Sequence, residues 1–252
     1  MPALRIIPCL DVKNGRVVKG VQFQNLQDVA DPVELVDKYF LQGADEITLL
    51  DVSASLEGRL AMIDVVAKCA ESTFVPLTVG GGIQTVSQVR ELLAAGADKV
   101  SIGSAVTTNP DLVDEVASKF GSQVLVVSLD VRRAATASGF AITRLGGTEE
   151  TQLDAAQWIK EVSERGAGEL LVNSMDSDGT KTGFDIELMK LVREISNLPI
   201  IASGGAGKLA HFVEAAKSGA DALLAASVFH TGSFTIGEVK AELAKNGVEV
   251  RI

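Results

Sequence analysis

Eight short apolar runs alternate with amphipathic stretches, and one long segment recurs in register 123 residues later. Together these features predict an α/β fold, a (βα)8 or TIM barrel built from two repeated (βα)4 halves. The repeat is VPLTVGGGIQTVSQVRELLAAGADKVSIGSA from Val75 against LPIIASGGAGKLAHFVEAAKSGADALLAASV from Leu198. The same offset carries Gly43-Ala44 to Gly166-Ala167 and Glu46 to Glu169, while LDV at 10–12 returns at 129–131. An open doubly wound sheet, the alternative fold, has no reason to hold such a register. A closed barrel with twofold pseudo-symmetry does.

The first half opens with a β-branched strand near 4–11. Residues 13–31 are long for a strand–helix connection; Lys13-Asn14-Gly15-Arg16 reads as its turn, so a hairpin and a candidate lid are expected there. Helices near 32–42, 57–71, 84–95 and 109–119 then alternate with strands near 46–52, 75–80 and 98–103. Pro110 after Asn109 suits a capped first turn. In the second half, strands near 123–130, 169–175, 198–203 and 222–227 alternate with helices near 152–165, 184–196, 207–218 and 235–245. Most helices stop at a glycine (Gly43, Gly96, Gly121, Gly166, Gly219, Gly247), which supplies a left-handed cap. No linker or break in composition appears, so residues 1–252 are expected to form one barrel domain.

Composition excludes several functions. Lys plus Arg total 23 against 33 Asp plus Glu, a net charge of −10, which disfavours nucleic acid. Aromatic residues are 4%, too few for a base-stacking surface. The two cysteines, Cys9 and Cys69, make neither a disulfide framework nor a metal site by spacing. No apolar run is long enough to span a bilayer and the N-terminus is no signal peptide, so no membrane contact and a cytoplasmic location are expected. His211 and His230 lack the spaced partners of a triad or metal site. DSDGT at 176–180 begins like a calcium loop but lacks the later Glu ligand. No metal and no cofactor are expected.

Three constellations remain. Gly80-Gly81-Gly82 and Ser203-Gly204-Gly205 each follow a strand and precede a helix, and about twenty residues on come the small strand ends Gly103-Ser104 and Ala226-Ser227. Backbone amides there can hold phosphate. Two such sites on opposite sides of one mouth predict a substrate with a phosphate at each end; plain tight turns are the competing explanation. Asp11 and Asp130 end strands 1 and 5, which face each other across an eight-stranded barrel, and supply a general acid and a general base without fixing which is which. Asp51, Asn173, Ser174 and Asp176 are expected at the mouth, with Asp178 and Gly179 beside a phosphate. Arg5, Glu46, Lys99 and Glu169 open strands 1, 2, 4 and 6 and form a charged ring at the barrel bottom. By charge alone a closed salt-bridge network is favoured over a gate.

The runs RIIPCLDVKNGRVVKG, VGGGI, GADKVSI, FGSQ, RGAGELL, DGTKTGFD, IASGGAGK and GADALLAASVFH resemble the cyclase subunits of imidazole glycerol phosphate synthase over nearly the whole chain. The resemblance implies a glutaminase partner at the barrel bottom, with Asp98 in contact with it. It implies that ammonia passes a gate of Arg5, Glu46, Lys99 and Glu169. It also implies a bis-phosphate ribonucleotide substrate, the phosphoribulosyl-formimino form of aminoimidazole carboxamide ribonucleotide, cyclised and cleaved to imidazole glycerol phosphate and aminoimidazole carboxamide ribonucleotide. Lys19 joins the substrate contacts, and Asp130 and Asp11 become general acid and general base.

The chain departs from the family pattern at Gln27 (usually Arg), Ala30 (usually Gly), Gly103-Ser104 (usually Asn-Thr) and TRLGGTEET over 143–151. There Glu149 and Glu150 stand in place of the family's basic residue, with Arg144 as the compensating cation. Two other functions compete: the sister isomerase of the same pathway, which needs no ammonia gate, and a non-catalytic bis-phosphate-binding barrel that activates a glutaminase.

Overall fold

The structure, a computed structural model, describes residues 3–21, 24–57 and 60–252, and the side chains of these except 19–21, 24–27, 55 and 56. In chain order the first half holds β1 (Arg5–Lys13), β2 (Arg16–Val21), β3 (Gln24–Ala30), α1 (Pro32–Leu41), β4 (Ile47–Asp51), α2 (Ala54–Glu57), α3 (Ile63–Ser72), β5 (Leu77–Gly80), α4 (Val86–Ala94), β6 (Lys99–Ile102), α5 (Ser104–Thr108) and α6 (Asp111–Phe120). The second half holds β7 (Leu125–Arg133), β8 (Phe140–Arg144), β9 (Glu149–Asp154), α7 (Ala155–Arg165), β10 (Glu169–Ser174), α8 (Ile186–Ile195), β11 (Ile200–Ser203), α9 (Leu209–Lys217), β12 (Ala222–Ala225), α10 (Ser227–His230) and α11 (Ile236–Lys245).

Strands β1, β4, β5, β6, β7, β10, β11 and β12 pair in parallel, each with the next, and β12 pairs with β1. The sheet therefore closes into the expected (βα)8 barrel. β1 and β7 lie four strands apart in that ring, on opposite sides. Each carries an antiparallel hairpin at its end: β2–β3 after β1, and β8–β9 after β7.

Side chains alternate along each strand, so every second residue enters the barrel. In β1 the inward series is Arg5, Ile7, Cys9 and Asp11. Ile7, Cys9, Val126, Leu171, Ile201, Ala222 and Leu224 form the buried lumen cluster. The alternate residues, among them Ile6, Leu10, Leu49, Val79 and Ile102, pack outward against the helices in a second, larger core. Two helices start at carboxylates related by the repeat offset: Asp31 accepts the Val33 N–H and Asp154 accepts the Gln157 N–H. Such caps satisfy otherwise unpaired amides of the first turn.

Several elements differ from expectation. The helix expected over 57–71 corresponds to α3, which starts at Ile63, and a separate short helix, α2, ends at Glu57. Pro110, not Asn109, stands at the α6 N-cap position, and Asn109 closes the preceding short helix α5. Residues 149–154 are strand β9, so α7 starts three residues later than expected. β1 and β7 run past Asp11 and Asp130 because each continues into its hairpin. Residues 13–31 do hold a hairpin, but the side chains of Lys19 and Gln27 lie outside the described residues. Among the described residues no helix is long and apolar enough to cross a membrane.

Candidate active site

At the bottom of the barrel the four charges meet. The Arg5 guanidinium donates to Glu46 at 2.7 Å and to Glu169 at 3.1 Å, and Lys99 Nζ donates to Glu46 at 2.9 Å and to Glu169 at 2.8 Å. Thr78 Oγ1 donates to the other Glu46 oxygen at 2.6 Å. Two cations and two anions thus close a neutral ring around Glu46, which is only 1% exposed. Asp98 sits on the same rim, where its carboxylate accepts the Leu77 N–H at 2.8 Å. Phe74, in the connection from α3 to β5, and Leu41, the last residue of α1, lie on this face and are 84% and 74% exposed.

At the opposite end, the C-terminal ends of the strands open into a cavity of about 350 Å³, within the range of small-molecule sites. Asp11 and Asp130 enter it from facing strands. Asp51, Asn173, Asp178 and Gly179 also line it, as do Gly81, Gly103 and Ser104 on one side and Gly204, Gly205, Ala226 and Ser227 on the other. Asp51 is partly committed to its own loop, accepting from the Ser53 N–H at 3.2 Å and the Ala54 N–H at 3.1 Å.

Three expected residues are not lining residues. Gly82 lies one step beyond the cavity wall, buried. Ser174 points out of the barrel and donates to Asp185 at 3.3 Å. Asp176 turns away to accept the Arg133 N–H at 2.8 Å. Strand alternation explains the pair at 173–174: if Asn173 faces the lumen, Ser174 faces the helices.

The glycines have a steric reason as well as the proposed one. Gly81 has φ +115° and a Cβ there would lie 2.5 Å from the Asp51 carbonyl oxygen; at Gly205, φ +98°, it would lie 2.0 Å from that of Gly183. The tight turn thus requires glycine at both sites. Short helices start at Ser104 and at Ser227, related by the repeat, so each half presents backbone amides at its side of the mouth.

Burial, followed by the negative charge of Asp178, pushes the Asp11 carboxyl up to about 7, against a weak hydrogen bond from Cys9 Sγ at 3.5 Å. Burial also raises Asp130, to about 6; the Asn173 amide at 3.2 Å opposes that rise and Asp178 adds to it. Asp178 is itself raised by burial, with the Gly179 N–H pulling the other way. Both carboxyls are thus brought toward neutral pH, where each can hold or release a proton, as acid/base chemistry needs.

Sequence reasoning missed part of the wall. Lys13 and Lys181 bring cations to the mouth, and the β8–β9 turn contributes Leu145, Gly146 and Thr148. The Leu145 N–H donates to Ser104 Oγ at 2.8 Å, which ties that turn to the first glycine-rich side. Gly146-Gly147 between two polar runs was the available signal for this hairpin.

The family model described as "Histidine biosynthesis protein" matches residues 5–235. Imidazole glycerol phosphate synthase subunit HisF of Clavibacter michiganensis subsp. michiganensis is 58% identical over 249 residues, covering 99% of this chain and 95% of that protein. The chain belongs to the HisF family. HisF of Thermobifida fusca is 57% identical over 253 residues and HisF of Kocuria rhizophila 59% over 251, each covering 99% of both chains. The relatives' names also describe them as subunits, proteins that work in an assembly.

Proposed function

We propose that the chain is the cyclase subunit of imidazole glycerol phosphate synthase. It uses ammonia to cyclise and cleave the phosphoribulosyl-formimino ribonucleotide into imidazole glycerol phosphate and aminoimidazole carboxamide ribonucleotide. The observation that carries this reading is the placement of Asp11 and Asp130 on facing strands of one cavity, between two glycine-rich sides. The two sides take the terminal phosphates of an extended substrate, and Lys13 and Lys181 add positive charge at the same mouth. One carboxylate removes a proton from the attacking nitrogen and the other carboxyl donates one to the leaving group. The family assigns Asp130 as acid and Asp11 as base, whereas the higher value at Asp11 and the Asn173 amide at Asp130 favour the opposite order in the free protein.

The partner is a glutaminase that docks on the barrel bottom. Exposed Phe74 and Leu41 on the face that carries the charged ring support that docking, since large apolar side chains on a face mark contact sites. The ring of Arg5, Glu46, Lys99 and Glu169 is the gate through which ammonia enters. That ring also favours the cyclase over the sister isomerase, which has no use for ammonia.

The experiment is turnover of the ribulosyl substrate by the purified chain with ammonium salts as the nitrogen source. Formation of both products supports the cyclase reading. Binding without turnover at saturating ammonium overturns it.

A further inference from the structure

We propose that Asn173 is a positioning residue for Asp130, and that the exchange between Leu50 and Asn173 is where the two halves of the duplicated barrel become chemically unequal. The inference rests on the acid/base reading above and adds a residue to it.

Leu50 is the β4 residue paired with Asp11, and Asn173 is the β10 residue paired with Asp130. The offset of 123 that relates the halves takes position 50 to position 173. The two acids thus have equivalent neighbours in space, one an alkyl chain and the other an amide. The next strand answers the exchange. Leu50 pairs with Gly80, and Asn173 pairs with Ser203, again equivalent positions. A Cβ at Gly80 would lie 2.7 Å from Leu50 Cδ2, so the wider side chain stands against the glycine and the narrower one against the serine. A substitution accommodated on the neighbouring strand is a built difference between the halves.

Its chemistry follows from the donor inventory. Asn173 is 8% exposed, and its Nδ2 lies 3.2 Å from Asp130 Oδ1 and 3.3 Å from Met175 Sδ. Both are acceptors, which fixes the amide with its nitrogen toward the carboxylate. The carboxylate of Asp130 is thereby oriented and its charged form favoured. At the matching place Asp11 faces Leu50, and its side-chain donor among the described residues is the Cys9 thiol at 3.5 Å, a weak one. Among the described residues, the charged groups sharing the mouth are Asp11, Lys13, Asp51, Asp178 and Lys181. Asp178 raises both acids. The donors are unequal: an amide at Asp130 and a thiol at Asp11.

The test compares Asn173→Val with Asn173→Thr in the full chain. The two have nearly the same shape and differ in a hydroxyl donor, so a merely structural role moves both alike. The readouts are the carbon-13 carboxyl titration of Asp130 in the free protein and the pH profile of kcat/KM with ammonium. In Asn173→Val the Asp130 midpoint is expected to rise by about one pH unit, while Asn173→Thr stays closer to the unsubstituted chain. Equal midpoints in the two variants, or no movement in Asn173→Val, overturn the proposal. If Asn173→Val does not fold, Leu50→Asn decides: the Asp11 midpoint falls if the proposal holds, and an unmoved midpoint overturns it. If the titrations shift as expected in a chain with no ammonium-dependent turnover, the cyclase reading fails and the positioning role stands. Turnover with unmoved titrations supports the cyclase reading and overturns the positioning role.

Discussion

Asp11 and Asp130 are held where water would otherwise stabilise their charges, and this has a price in stability. A carboxyl whose value rises on folding favours the folded state only while protonated. For Asp11 the penalty is absent below its unfolded value near 4, grows as pH rises, and is complete above about 7. A rise of about three units corresponds to at most about 4 kcal/mol. Asp11→Asn is therefore expected to raise the melting temperature at pH 8 and to leave it nearly unchanged at pH 4. The same variant is expected to lose about 10²–10⁴ in kcat with a smaller change in ligand affinity. Thermal melts at the two pH values and steady-state rates check both. A variant that loses activity and is also less stable at pH 8 contradicts the burial argument. These two acids were legible in the sequence because the repeat placed them at equivalent strand ends. Ser174 and Asp176 were not, because a polar run names residues without saying which way each faces. Strand period settles Ser174, and the Arg133 amide settles Asp176.

The β8–β9 hairpin shows the same limit for whole elements. Its second strand, EETQLD, is polar along most of its length, so no apolar alternation announces it, and its last residues merge with the helical pattern of α7. The short helices α5 and α10 are too brief to show any period. The first hairpin was readable because its connection is too long for a simple turn. The second matters to the site, because its turn covers the Ser104 side of the mouth and touches Met175, whose sulfur accepts from Asn173. Gly147 has φ +80°, and a Cβ there would lie 2.3 Å from Met175 Cε. Gly147→Ala is expected to destabilise the chain by about 1–2 kcal/mol through backbone strain and displacement of Met175. Such a loss appears as a fall of several degrees in Tm. A double-mutant cycle with Met175→Ala separates the causes. The expected outcome is a smaller loss in the Met175→Ala background. Equal losses in both backgrounds would assign the whole effect to the turn's own backbone.

On the scale of the molecule, the barrel separates two chemistries by the length of its strands. The mouth holds the carboxylates and glycine-rich sides, the lumen is apolar along β1, β10, β11 and β12, and the bottom is closed by the neutral ring. Removing one member leaves the others uncompensated in a largely buried place. Glu46→Gln leaves Arg5 and Lys99 to share Glu169 alone, and a loss of about 3 kcal/mol is expected. A Tm unchanged by that substitution would show that solvent, not the ring, carries the charges. The apolar side chains on the same face make a separate prediction about the proposed glutaminase. Phe74 does not line the mouth, is 84% exposed, and makes a ring contact with Phe40 at 5.5 Å between centroids. Phe74→Asp places a charge on the docking face without touching the cavity. Glutamine-dependent turnover of the assembly is expected to fall by an order of magnitude or more, because truncating or charging a buried aromatic anchor commonly costs about 2 kcal/mol of association. Ammonium-dependent turnover is expected to stay at the level of the unsubstituted chain, because that nitrogen source needs no partner. Assaying both nitrogen sources on one preparation makes the comparison internal. An equal fall in both would mean that Phe74 supports the barrel itself, and an equal persistence of both would place the partner on another face.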